Sequence, residues 1–232
     1  MNIAIILAGG TGKRIGYEVP KQFLTIAGKT ILEYTVDVFE KNSQIDEIAI
    51  VIHESFISDV HKIISRNHYQ KVKKILKGGK ERFESTLEGI KAYSQFPNYN
   101  LIFHDAVRPL VSDRIIKDVV KALEMFNAVG VAVPVTDTVY QVDDSSNFIQ
   151  SIPNRSFLQR AQTPQGIKTE TLLKATQMAM KNADFQFTDD CSVVAKYLPC
   201  EKIFIVRGEE NNIKLTYPED LLFLQHQLSK GQ

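Results

Sequence analysis

The segment Ile5-Ile6-Leu7-Ala8-Gly9-Gly10-Thr11-Gly12-Lys13-Arg14-Ile15-Gly16, closed by Pro20-Lys21-Gln22, carries an apolar strand into a glycine loop bearing cations. Four glycines in eight residues let the backbone turn sharply and bring N–H groups against an anion, while Lys13, Arg14 and Lys21 supply countercharge. That combination suits the phosphates of a nucleoside triphosphate; an ordinary strand-to-helix turn is the plainer reading of this segment taken alone. Two common phosphate loops do not fit. A Walker loop would need Ser or Thr after Gly12-Lys13, where Arg14 stands, and glycine at Leu7. A dinucleotide fingerprint starting at Gly10 would need glycine or alanine at Ile15.

Three further clusters have chemical potential. Gly78-Gly79-Lys80-Glu81-Arg82-Phe83-Glu84-Ser85 places a glycine pair before a helix whose first turn offers acids and a hydroxyl. His104-Asp105-Ala106-Val107-Arg108-Pro109 follows Leu101-Ile102-Phe103, so Asp105 falls at the carboxyl end of a strand, a good position for a metal-facing carboxylate. His104 reads as a packed residue rather than an acid or base. Asn212-Ile213-Lys214-Leu215-Thr216-Tyr217-Pro218 sets Lys214 among apolar neighbours; turned inward it needs an anion, turned outward it is merely solvated.

The elements that must position these groups alternate. Apolar runs at 3–8, 47–52, 101–103, 129–135 and 203–206 are separated by segments of helical period at 30–41, 55–65, 112–126, 170–182 and 218–229. This predicts an α/β chain, a mostly parallel sheet covered by helices, with Ser112 as an N-cap and Pro218 in a first turn. The stretch 137–162 breaks the pattern. Thr138–Val142 and Phe148–Ile152 flank the polar turn Asp143-Asp144-Ser145-Ser146-Asn147, an inserted hairpin too small to bury both faces. It should lie on a second copy of the chain, giving a homodimer, or else fold back on its own domain.

At 232 residues the chain suits one domain, 1–232, with this arm as an appendage. Lys and Arg number 28 against 27 Asp and Glu, so the formal charge of +1 gives no general reason to expect nucleic acid or an anionic membrane. Cys191 and Cys200 match neither a zinc nor a redox spacing and read as packing residues of a reduced protein. With no basic leader at Met1-Asn2-Ile3-Ala4 and no apolar run near the roughly 18 residues of a membrane span, a soluble cytoplasmic protein is expected.

Taken in order, L-A-G-G-T-G-K-R with P-K-Q, G-G-K-E-R-F-E-S, H-D-A-V-R-P, D-T, T-P-Q and N-I-K-L-T-Y-P-E-D resemble the cytidylyltransferases that act on sugar-alcohol phosphates, over nearly the whole chain. The resemblance implies a Rossmann-like nucleotidyltransferase fold with a protruding β-arm for dimerisation, CTP as one substrate, a sugar-alcohol phosphate as the other and magnesium as cofactor. It makes Ala8, Gly9, Gly79, Lys80 and Ser85 the cytosine and ribose contacts, with Leu7, Gly10, Thr11, Gly12, Arg82 and Ala106 lining the same nucleotide site. Arg14, Lys21 and Lys214 correspond to the triphosphate cations, and Asp105 with Arg108 to the ribose and magnesium region. Thr138, Arg155, Thr163 and Thr188 correspond to acceptor-phosphate contacts, Thr138 and Arg155 reaching across from the partner's arm.

In the implied reaction a phosphate oxygen of the acceptor attacks the α-phosphorus of CTP in line and expels pyrophosphate. No general base is needed, because a phosphate monoester with a second pKa near 6 is already largely a dianion at neutral pH. Within the family, L-A-G-G, Val107, Leu158-Gln159, Ile152-Pro153-Asn154-Arg155-Ser156 and Asp190-Cys191-Ser192 look closer to ribitol-phosphate enzymes than to those acting on methylerythritol phosphate, which remain the alternative. A glycosyltransferase would usually carry an Asp-x-Asp metal motif, which is absent, and a silent nucleotide-binding relative would have lost charges such as Arg14, Lys21, Asp105 and Lys214.

Overall fold

The alternation of apolar runs and amphipathic segments produces strands buried on both faces and helices buried on one. The computed structural model describes residues 1–10, 19–181, 187 and 189–229. Strand β1 (Asn2–Leu7) precedes the short pair β2 (Thr25–Ile26) and β3 (Lys29–Thr30), then α1 (Ile31–Lys41), β4 (Glu47–Ile52), α2 (Ile57–Asn67), β5 (Val72–Lys77), α3 (Arg82–Tyr93) and β6 (Asn100–Asp105). Helix α4 (Asp113–Leu123) and β7 (Ala128–Pro134) lead to the arm strands β8 (Gln141–Val142) and β9 (Ile149–Ser151). The chain closes with β10 (Gln159–Lys168), α5 (Thr169–Ala179), α6 (Asp190–Tyr197), β11 (Ile203–Arg207) and α7 (Pro218–Ser229).

Seven strands form one sheet in the order β11-β7-β10-β6-β1-β4-β5. All neighbours are parallel except β10, which runs antiparallel to both β6 and β7. The period of two along β1 divides the core: Ala4 and Ile6 face Leu32, Val36 and Phe39 of α1, while Ile3 and Ile5 face Ile90 and Tyr93 of α3 and Leu172 of α5. On that second side α3 lies so close to β1 that a Cβ on Gly89 would stand 3.0 Å from Ile5 Cγ2.

Three elements differ from the sequence reading. Strand β5, Val-Lys-Lys-Ile-Leu-Lys, is an edge strand whose lysines hide its periodicity. Strand β10, Gln-Arg-Ala-Gln-Thr-Pro-Gln-Gly-Ile-Lys, looks polar and broken, and helix α6 is a short eight-residue segment. Because Gln159–Gln162 pair with β7, the last part of the stretch assigned to the arm belongs to the main sheet. The hairpin does not fold back on its own domain. Phe148 is 72% and Phe157 84% exposed, and Tyr140, Ile149 and Ile152 are exposed as well. Cys200 is exposed and Cys191 half-buried, both as free thiols, so packing describes only the latter. No helix among the described residues is long and apolar enough to cross a membrane.

Glu33 joins the first two helices. Its carboxylate closes the capping box of α1, accepting from the Thr30 N–H at 2.8 Å and the Thr30 hydroxyl at 2.8 Å. It also accepts from Arg66 Nε at 2.9 Å and Asn67 Nδ2 at 2.7 Å at the end of α2, with a further bond from Arg66 Nη2. Burial by itself would raise this carboxyl, but the bonds from Arg66, Thr30 and Asn67 outweigh it and bring it from 4.5 to about 2. A folded-state pKa below the unfolded one stabilises fully above the unfolded value and is lost as pH falls through the folded one; here the difference is worth about 3 kcal/mol. Glu33→Gln should therefore cost about 2–3 kcal/mol in urea unfolding at pH 7. The gap should shrink to roughly half or less at pH 3; an undiminished gap would show that ionisation of Glu33 is not the source.

Candidate active site

The carboxyl edge of the parallel strands is where an open α/β sheet gathers ligands. Backbone bonds carry the sheet past the strand ends and fix the loops there: Ala8 N–H to Val51 O at 2.8 Å, Gly78 N–H to Ile52 O at 2.8 Å and Ala106 N–H to Leu7 O at 3.0 Å. Between these loops opens a cleft of about 630 Å³. Leu7, Ala8, Gly9 and Gly10 form one wall, Gly79 to Arg82 with Ser85 another, and Lys21, Asp105 and Lys214 the floor and rim. A larger hollow of about 710 Å³, lined by Pro97, Lys168 and Cys200 among others, lies at the opposite, amino-terminal edge. There Lys174 is paired with Glu170 at 2.6 Å, and Asn127 donates to Glu201 at 3.2 Å.

Asp105 organises the cleft. Its side chain is only 9% exposed, yet Oδ2 lies 3.1 Å from Lys214 Nζ and 3.3 Å from Arg108 Nε, and Oδ1 lies 3.4 Å from Arg82 Nε. Burial alone would raise the carboxyl; Lys214, Arg82 and Arg108 overcome that and hold it far below the ordinary carboxylate range. Asp105 is therefore an anion at every physiological pH. Lys214, in the loop after β11, has found the anion an inward-turned lysine needs.

Lys21, in a 3-10 turn, donates to Thr216 O at 2.8 Å and so bridges the glycine-loop side to the segment carrying Lys214. Gln22 is a residue whose role the sequence did not disclose. Buried beside the loop, its amide donates to Ala8 O at 2.6 Å and Gly10 O at 3.1 Å, fixing both carbonyls. The facing turn is held by Glu84, whose Oε2 accepts from the N–H groups of Lys80 at 2.5 Å and Glu81 at 3.0 Å. A Cβ on Gly79 would overlap Glu84, so this turn needs glycine.

The remaining sequence-identified residues divide three ways. Ala106 and Thr163 stand behind the cleft wall. Ala106 is fully buried with its carbonyl taken by Thr35 Oγ1 at 2.8 Å. The Thr163 hydroxyl accepts from Asp105 N–H at 3.1 Å and meets His104 Nδ1 at 3.1 Å. Since His104 Nε2 faces the Arg108 carbonyl at 3.1 Å, the ring proton is on Nε2 and Thr163 donates to Nδ1. Burial lowers His104 to about 4, so the ring is a neutral packing element. Thr138 and Arg155 lie on the arm, Arg155 donating to Thr136 O at 2.7 Å, and neither lines the cleft of its own chain. Thr11, Gly12, Arg14 and Thr188 lie outside the described residues.

The arrangement, cations from separate segments around one cleft with a single deeply held carboxylate, suits a polyanionic ligand. Comparison with known proteins agrees. The family described as IspD, 2-C-methyl-D-erythritol 4-phosphate cytidylyltransferase, matches residues 2–230. The chain is 46% identical over 95% of its length to the bifunctional ribulose 5-phosphate reductase/CDP-ribitol pyrophosphorylase Bcs1 of Haemophilus influenzae, of which it spans 46%. It is 43% identical over 98% of its length to the 2-C-methyl-D-erythritol 4-phosphate cytidylyltransferase of Thermobifida fusca, covering 93% of that protein. Among solved structures, the 4-diphosphocytidyl-2C-methyl-D-erythritol synthase of Anaerococcus prevotii superposes with a TM-score of 0.84 at 31% identity, covering 98% of this chain and 96% of that one. The protein of the same family from Francisella tularensis gives 0.80 at 28% identity, with 97% of this chain and 99% of that one covered. The chain belongs to the IspD family and is a cytidylyltransferase.

Proposed function

We propose that this cytidylyltransferase transfers CMP from CTP to D-ribitol 5-phosphate, forming CDP-ribitol and releasing pyrophosphate. The observation that carries the acceptor is the 46% identity, over 95% of the chain, with a relative named as a CDP-ribitol pyrophosphorylase. Methylerythritol phosphate is the second reading, favoured by the 43% identity with the Thermobifida fusca protein.

On this reading the nucleotide lies in the cleft beside Asp105. The loop residues Ala8 and Gly9 and the facing Gly79, Lys80 and Ser85 contact cytosine and ribose, largely through backbone groups. Lys21, Lys214 and Arg14 bind the triphosphate oxygens and offset the charge that gathers on the α-phosphoryl group as the acceptor phosphate approaches. Lys214 is suited to this, because its side chain is 43% exposed and can turn from Asp105 toward an incoming phosphate.

Among the described residues no three His, Cys, Asp or Glu side chains converge as a metal cage. A magnesium ion carried on a triphosphate requires less, one carboxylate beside phosphate oxygens and water. Asp105 fits that need, its Oδ1 being held loosely at 3.4 Å from Arg82. When bound, the ion would neutralise phosphate charge.

The acceptor phosphate is read as meeting Arg108 and Thr188 from the same chain, and Thr138 and Arg155 from the arm of a second copy; Thr163, its hydroxyl engaged with His104 and the Asp105 N–H, backs the site from behind. The exposed Tyr140, Phe148, Ile149 and Ile152 support a homodimer through this arm, because an apolar hairpin left in water is poorly stable.

Lys21→Ala should keep the parent's circular dichroism spectrum and lose on the order of a hundredfold in pyrophosphate release; substantial retained turnover would remove Lys21 from the phosphate site. With CTP saturating, kcat/KM for ribitol 5-phosphate should exceed that for methylerythritol 4-phosphate by roughly tenfold or more. The reverse preference would transfer the assignment to methylerythritol phosphate. Light scattering should give twice the chain mass, and Phe148→Asp should shift the protein to monomer; a monomeric parent contradicts the arm's role.

A further inference from the structure

Arg82 enters the cleft from the first position of α3, and its guanidinium is fastened from behind. Nη1 and Nη2 donate to Asp190 Oδ1 and Oδ2 at 3.0 and 2.6 Å, while Nε reaches Asp105 Oδ1 at a longer 3.4 Å. Asp190 is itself held. Its side chain is 1% exposed, the Thr86 hydroxyl donates to its Oδ1 at 2.8 Å, and its own N–H donates to Gln165 Oε1 at 2.8 Å. The amide of Gln165 in turn donates to Asp189 Oδ2 at 2.8 Å, which fixes the start of α6 on β10. Asp190 does not line the cleft, whereas Arg82 does.

The charges explain why this buried pair matters. Arg82, Arg108 and Lys214 all converge on the one carboxylate of Asp105. A bidentate carboxylate fixes a guanidinium in plane and direction as a single contact cannot. Deprived of Asp190, a mostly buried Arg82 would need another anion, and the nearest is Asp105. Closing onto Asp105 would crowd Lys214 and alter the field that meets a triphosphate.

We infer that Asp190 is a positioning residue for the nucleotide: its two-point hold keeps Arg82 at the cleft wall and limits it to one long contact with Asp105, leaving Lys214 to serve incoming phosphate. The inference rests on CTP binding in this cleft. Asp190 acts only through Arg82, so the two residues form one functional unit although 108 positions separate them.

The test compares Asp190→Asn, Arg82→Met and the double variant, measuring CTP affinity by calorimetry, kcat and KM for CTP, and thermal unfolding. Asp190→Asn should raise both Kd and KM for CTP by about tenfold or more, as expected for loss of a charged hydrogen-bonded pair, with a smaller change in kcat. The double variant should bind CTP no worse than Arg82→Met alone. Asp190→Glu, which keeps the charge, should recover part of the loss. Two results overturn the inference alone: effects that multiply in the double variant, or a lowered melting temperature with CTP affinity unchanged. If Asp190→Asn does not fold, Thr86→Val removes one bond to Oδ1 and leaves both charges in place. It should raise KM for CTP about two- to threefold, the size of a modest hydrogen bond, and an unchanged KM again overturns the inference. A folded parent that binds no CTP overturns the assignment of the cleft itself.

Discussion

One buried negative charge at the end of the central strand governs the architecture around it. A carboxylate withdrawn from water as far as Asp105 is tolerable only if cations meet it, because its desolvation costs several kcal/mol on the order of magnitude seen for buried ions. Those cations come from three places far apart in the chain: Arg82 from α3, Arg108 from the turn after β6 and Lys214 from the loop after β11. The same contacts that make Asp105 acceptable therefore draw three loops over one cleft. The site is rigid on the carboxylate side and adaptable on the lysine side, since Arg108 is 12% exposed while Lys214 is 43% exposed.

The supporting contacts are mostly between polar groups and backbone. Arg108 donates to Asn212 O at 2.8 Å, Leu215 N–H to Val107 O at 2.9 Å, and Asp220 accepts from Thr216 N–H at 2.7 Å. They tie the Lys214 loop to the turn after β6 without needing regular structure. This is why a segment lacking helix or strand from Gly208 to Tyr217 holds Lys214 in place at the cleft. Pairing at these distances inside a partly dry cleft is worth more than the same pairs at the surface.

Much of this was legible in the residue order, and what was not has a physical reason. Asp105 was visible because a carboxylate after Leu-Ile-Phe must emerge at a strand's carboxyl end, and Lys21 and Lys214 because cations beside turn and apolar residues imply an anion. The packed character of His104 followed from its place within an apolar strand. Asp190, Gln22 and Gln165 were opaque as functional supports, since their partners are fixed only by folding; local spacing cannot disclose a contact between Arg82 and Asp190. Thr163 shows the limit of motif reading: the position is where the pattern puts it, but its hydroxyl is spent on His104 and Asp105 N–H. Strand β10 escaped because its buried run includes the polar Gln162, Thr163 and Gln165, which hide its periodicity, and because Pro164 interrupts it.

The bulge in β10 has its own outcome. Between Gln162 and Gly166 that strand advances four residues while β7 advances only from Val131 to Val129, so spare backbone is stored beside the cleft. The spare length aims Thr163 at one neighbour and Gln165 at another. One break in register thereby ties the end of β6 to the start of α6 through a single strand.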